Sequence, residues 1–115
     1  MSVTHLDSGN ILSQATVHNG TVYLCGLTAD DLSADITVQT QEVLAKIDDR
    51  LAKCGSDKSK ILMATLYLSD MTNKPAMNDV WTAWLGDLER PARACVGTDL
   101  GPNVLVEIVV NAAQG

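Results

Sequence analysis

Three observations predict an α+β fold of order β-β-α-β-α-β-β, with two helices packed on one face of a mixed β-sheet. β-Forming residues cluster in short runs bounded by Gly, Pro or Asn. Two longer segments carry apolar residues at helical spacing. The helices are interleaved with strands only in the middle of the chain, as in a sheet covered on one side. The 115 residues hold no repeat, linker or low-complexity tract, so 1–115 reads as a single domain.

The N-terminal residues are polar, with Val3 to Leu6 a candidate edge strand and Ile11 to Val17 a second extended piece. His18-Asn19-Gly20 is a turn signal, and Thr21 to Leu27 reads as the returning strand of a hairpin. Gly26 inside that run predicts a bulge or a close approach to the backbone. From Asp35 to Cys54, Ile36, Val43, Leu44, Ile47 and Leu51 make one helical stripe, with Ser33 or Asp35 as cap and Gly55 as stop. Glu42 with Lys46 and Asp49 with Lys53 stand at i,i+4. Ile61 to Leu68 is the most apolar strand. Pro75 opens a second amphipathic helix carrying Met77, Val80, Trp81, Trp84 and Leu85, which ends near Gly86. Arg93 to Thr98 and Val104 to Ala112 are the last strands, expected to lie antiparallel to each other around the Gly101-Pro102-Asn103 turn.

Composition removes several function classes. The net charge of −6 argues against nucleic acid, whose phosphates demand Lys and Arg, and against anionic membrane surfaces. No apolar run has the length of a membrane span and no basic leader opens the chain, which points to a cytoplasmic protein. Three dispersed cysteines suit reduced thiols rather than disulfides, and neither histidine stands at ligand spacing, so no metal site is expected.

Strand parity sharpens the reading. One set of alternating positions, including Leu24, Leu62, Leu66, Ala92, Ala94, Val96 and Ile108, is aliphatic and is expected to face the helices. The other holds Tyr23, Cys25, Met63, Tyr67, Arg93, Cys95 and Glu107. It is also largely apolar but has no helix to cover it. An apolar face of that extent predicts an oligomer, with Arg93 and Glu107 in or beside a cleft between subunits. The two charges either pair with each other or hold a ligand.

The motifs Asn19-Gly20-x-Val22-Tyr23-x-x-Gly26, Gln39-Thr40, Ile47-Asp48-x-x-Leu51, Pro91-Ala92-Arg93-x-Cys95-Val96 and Val106-Glu107-Ile108 occur here in the order found in the RidA/YjgF family. The chain resembles that family over nearly its whole length, and is similar to its YoaB-like branch through Gly55 to Leu62 and Met77-Asn78-x-x-Trp81-x-x-Trp84. The resemblance implies a chorismate-mutase-like fold and a homotrimer with clefts between subunits. It also implies hydrolytic deamination of reactive imine or enamine acids such as 2-aminoacrylate, giving 2-keto acids and ammonia without a cofactor. By the same resemblance Arg93 clamps the substrate carboxylate, Glu107 positions or activates water, and Cys95, Gly26 and Cys25 line the substrate site. Where deaminating members carry a tyrosine, this chain has Leu12 or Ser13, and Cys25 replaces a serine. Those changes motivate the alternative of a non-catalytic trimer that binds small carboxylates or protein partners. A ribonuclease activity attributed to some relatives ranks last, given the acidic balance.

Overall fold

A computed structural model describes residues 2–115 of the chain. Its elements are β1 (Thr4–Ser8), β2 (Ser13–His18), β3 (Thr21–Leu24), α1 (Ile36–Lys53), β4 (Ile61–Leu68), α2 (Lys74–Leu85), β5 (Ala92–Gly97) and β6 (Val106–Ala113). The candidate edge strand at the N-terminus is real, so the order is the predicted one with a third strand at its front. The six strands form one sheet in the order β1-β2-β3-β6-β4-β5. Only β4 and β5 are parallel. The molecule is a slab of 43 × 37 × 20 Å, as two layers require.

Local chemistry sets the element ends. Asn19 (φ +49°) and Gly20 (φ +75°) both take left-handed backbone, so the β2–β3 hairpin closes on a two-residue turn whose twist matches the strands. Asp35 caps α1 by accepting from the Val38 amide at 3.0 Å. Gly55 (φ +72°) ends it, with the Ser56 amide returning to the Leu51 carbonyl at 2.9 Å. The predicted stripe Ile36, Val43, Leu44, Ile47 and Leu51 is buried. Each such side chain contributes about 1.5–3 kcal/mol by leaving water, far more than helix propensity.

Three expectations are corrected. β5 and β6 are not neighbours: β6 inserts between β3 and β4, in the row Tyr23↔Asn111↔Met63. Its helix-facing residues Val106, Ile108, Val110 and Ala112 are essentially inaccessible, and a strand that apolar takes the sheet centre. β5, preceded by Pro91 and ending in Gly97, takes the edge. Second, the parity of β5 is inverted. Arg93 pairs with Ala64 and Cys95 with Leu66, so both face the helices, while Ala92, Ala94 and Val96 share the other face with Met63, Thr65 and Tyr67. Leu62 is displaced by a register shift between Ile61 and Met63 and is exposed. Third, Lys46 pairs with Asp30 at 2.6 Å instead of Glu42, whose Oε2 is buried without a partner. The Asp49–Lys53 pair forms at 3.2 Å. The parity correction makes the helix-free face more apolar, because three aliphatic positions replace Arg93 and Cys95 there.

Gln39 joins the first helix to the loop before β6. Its side chain is fully buried and makes three hydrogen bonds. Nε2 donates to the Ala34 and Asn103 carbonyls at 3.0 and 3.1 Å, and Oε1 accepts from the Leu105 amide at 3.0 Å. Satisfying those groups fixes the approach of the chain into the strand that bears Glu107.

Candidate functional site

The residues singled out in the sequence fall into two groups. The first is Cys25, Gly26 and Glu107. Between Tyr23↔Asn111 and Leu27↔Ile108 the β3–β6 register slips by one residue, which places the expected irregularity at Cys25–Gly26. The Glu107 carboxylate stands directly against Gly26, where any side chain would collide with it. This close approach is the physical reason for glycine at that position. Glu107 is half-buried on the helix-free face, in register with Tyr67. Leu12, Thr16, Tyr23 and Cys25 line an adjoining concavity of about 500 Å³.

Cys25 is half-buried, and burial pushes its thiol above the ordinary value, against a smaller opposing pull from the Arg50 guanidinium. Its Sγ lies 3.9 Å from Gln14 Oε1, which also accepts from Arg50 Nε at 3.3 Å. A raised pKa leaves less thiolate at neutral pH, so Cys25 should alkylate with iodoacetamide more slowly than free cysteine at pH 7.5. Peptide mass spectrometry of a timed reaction checks this.

The second group is Arg93 and Cys95, on the helix-facing side of the edge strand. Cys95 packs half-buried against the core. The Arg93 Cζ lies over the Trp81 ring, 5.5 Å from its centroid. The sequence pattern places Trp81 in helix packing. It is buried, yet it also touches the candidate carboxylate clamp. The signal was hidden because the sequence pattern put Arg93 on the opposite face. Asn78, one turn earlier on α2 and part of the same tryptophan-bearing motif, has its Oδ1 buried without a partner.

Arg93 and Glu107 therefore do not answer each other within the chain. They stand on opposite faces, on strands separated by β4. Two strand spacings alone separate them by about 10 Å. Among the described residues the ion pairs are Lys46–Asp30, Arg50–Asp49, Lys53–Asp49 and Lys60–Asp57; neither Arg93 nor Glu107 joins one. No cluster of His, Cys, Asp and Glu with the makings of a metal site occurs among the described residues. Nor is any described helix long and apolar enough to cross a membrane. A wider groove of about 670 Å³ runs between the two helices, lined by Leu44, Asp48, Val80 and Trp84 among others, away from Glu107.

The profile of the family described as Endoribonuclease L-PSP, which is the RidA/YjgF family, matches residues 4–114. The chain belongs to the RidA/YjgF family. It is 40% identical over 114 residues to the RutC family protein YoaB of Escherichia coli, covering 98% of this chain and 99% of that one. It is 32% identical over 101 residues to a protein named 3-aminoacrylate deaminase RutC from Acinetobacter baylyi, covering 82% and 79% of the two chains. The crystal structure of a YjgF family member from Neisseria meningitidis matches with a TM-score of 0.96 and 39% identity, over 100% of this chain and 97% of that one. The RidA/YjgF fold is thus the two-layer arrangement described above, and YoaB is among the relatives the chain matches over nearly its whole length.

Proposed function

We propose that this protein hydrolyses small, reactive imine or enamine acids to 2-keto acids and ammonia, in sites shared between copies of the chain. The observation that carries this reading is the separation of two unpaired charges. One ligand cannot reach both Arg93 and Glu107 of the same chain, whereas Arg93 of one copy and Glu107 of the next can flank it. The apolar helix-free face, with Tyr23 and Val96 exposed, supplies the surface on which copies meet. A homotrimer, as the family resemblance implies, closes such contacts with cyclic symmetry. The A. baylyi relative named for 3-aminoacrylate deamination supports an enamine acid as substrate.

In this reading Arg93 holds the substrate carboxylate through paired N–H donors. Glu107 accepts a hydrogen bond from water and takes a proton as the water oxygen attacks the imine carbon. With the imine protonated on nitrogen, the attack leaves a neutral carbinolamine; Glu107 returns its proton to the nitrogen and takes the hydroxyl proton as the C–N bond breaks, releasing ammonia and the ketone. Gly26 lets the Glu107 carboxylate sit close to the backbone, and Cys25 and Cys95 act as small lining residues rather than nucleophiles. Since such imines hydrolyse readily in water, positioning alone gives a useful acceleration.

The test is to generate 2-aminoacrylate with a serine dehydratase and follow keto-acid release. Release faster than in the enzyme-free control is expected; an unchanged rate with this and several other imines removes the reading. Gly26→Ala probes the Glu107 side. The new methyl group displaces the carboxylate, so the imine hydrolysis rate should drop about a hundredfold, the scale on which a misplaced acid–base group acts, while the denaturation midpoint changes little.

A further inference from the structure

Arg93 has no hydrogen bond or ion pair from its side chain to any described residue, yet it is not free to wander. Its guanidinium carbon lies over Trp81, a residue only 6% exposed. Trp81 is itself braced. Its ring packs at 5.6 Å and 45° against Trp84. Trp84 is held in turn by its Nε1 donating to Asp48 Oδ2 at 3.0 Å, and by Lys58, whose ammonium lies 5.2 Å from the ring and donates to the Trp84 carbonyl at 2.6 Å. The stack runs from the first helix, through the second, to the edge strand.

An aromatic face and a carboxylate hold an arginine in different ways. A carboxylate partner uses the guanidinium's N–H donors and neutralises its charge. A ring takes the cation against its π face and leaves the donors at the guanidinium edge unspent. The side chain then pays its ordering cost before the ligand arrives, which strengthens binding without adding a contact to it. We propose that Trp81 is the positioning residue for Arg93: it fixes the guanidinium while keeping its donors available for a carboxylate. This deepens the carboxylate-clamp reading above and rests on it.

Two measurements separate the outcomes. In the ligand-free protein, the Arg93 Nε–Hε resonance should be shifted upfield by the ring current, keep that shift in Trp81→Phe and lose it in Trp81→Leu. For function, a clamp that binds ground and transition states alike predicts a KM raised about five- to tenfold in Trp81→Leu with kcat within about twofold, and near wild-type values in Trp81→Phe. Binding of 2-oxobutanoate by calorimetry should follow KM. An unshifted Arg93 resonance in the wild type, or equal affinity in wild type and Trp81→Leu, overturns the inference and leaves the clamp itself standing. A shifted resonance with no carboxylate binding in the wild type removes the clamp and reduces the stack to a packing contact.

Discussion

Arg93→Ala should abolish carboxylate binding and, with it, any acceleration of imine hydrolysis. The guanidinium is the only group assigned to the substrate's charge, and it has no competing hydrogen-bond or ion-pair partner among the described residues. Charge-assisted hydrogen bonds are worth about 1.5–3 kcal/mol each, so losing a bidentate pair costs roughly 3–5 kcal/mol, or about a hundredfold to several thousandfold in kcat/KM. Arg93→Lys should recover only part of this, because an ammonium cannot present the planar fork. The fold should survive: Arg93 lies on an edge strand, half-buried, and its removal strands no buried partner. Steady-state kinetics with dehydratase-generated 2-aminoacrylate, beside urea denaturation of the same variants, separates the two effects. Full activity in Arg93→Ala would discard the clamp.

Gln39→Leu should be the most destabilising polar-to-apolar change of similar size in the chain. Leucine fills most of the volume but leaves the Ala34 and Asn103 carbonyls and the Leu105 amide without the partners they have now. Orphaned buried groups cost about 1–3 kcal/mol each, less where local relaxation lets water reach them, so a total of about 2–4 kcal/mol is expected. For a chain of this length that is a fall in Tm on the order of 10 °C. Gln39→Glu tests the mechanism: it preserves the acceptor to Leu105 and loses the donors, so it should remain destabilised. A Gln39→Leu variant with wild-type Tm would show that the loop before β6 is secured elsewhere.

The sequence was most legible where one chemical signal had no competitor. Asn19-Gly20 announced its turn because few other residues accept two left-handed positions in succession. The 35–54 helix was readable from a stripe of five aliphatics with a cap at one end and glycine at the other. Gly26 was readable too, and both meanings offered for it, a bulge and a close approach, turned out to apply. β5 was misread for a physical reason. On this edge strand neither face is fully buried, so alternation of small residues no longer says which face is which. Arg93 has an apolar stem long enough to lie along the core and still carry its charge outward, and polarity alone could not place it. The pairing of β5 with β6 was a nearest-neighbour assumption. Strand order depends on contacts far apart in sequence, and the apolar richness of β6 is the sequence feature that seats it centrally. Trp81 beneath Arg93 depended on both of those points.

If Arg93 of one copy and Glu107 of the next flank one ligand, as proposed above, their opposite placement on the sheet has a genetic consequence. Arg93→Ala and Glu107→Ala are each expected to be inactive as pure oligomers. When the two are unfolded together and reassembled, some interfaces bring the intact Glu107 of one variant against the intact Arg93 of the other. Those sites are whole, while their reciprocal sites lack both groups. Two dead proteins should therefore complement each other and regain a fraction of wild-type activity set by the statistics of mixing. A site confined to one chain would stay silent in every mixture.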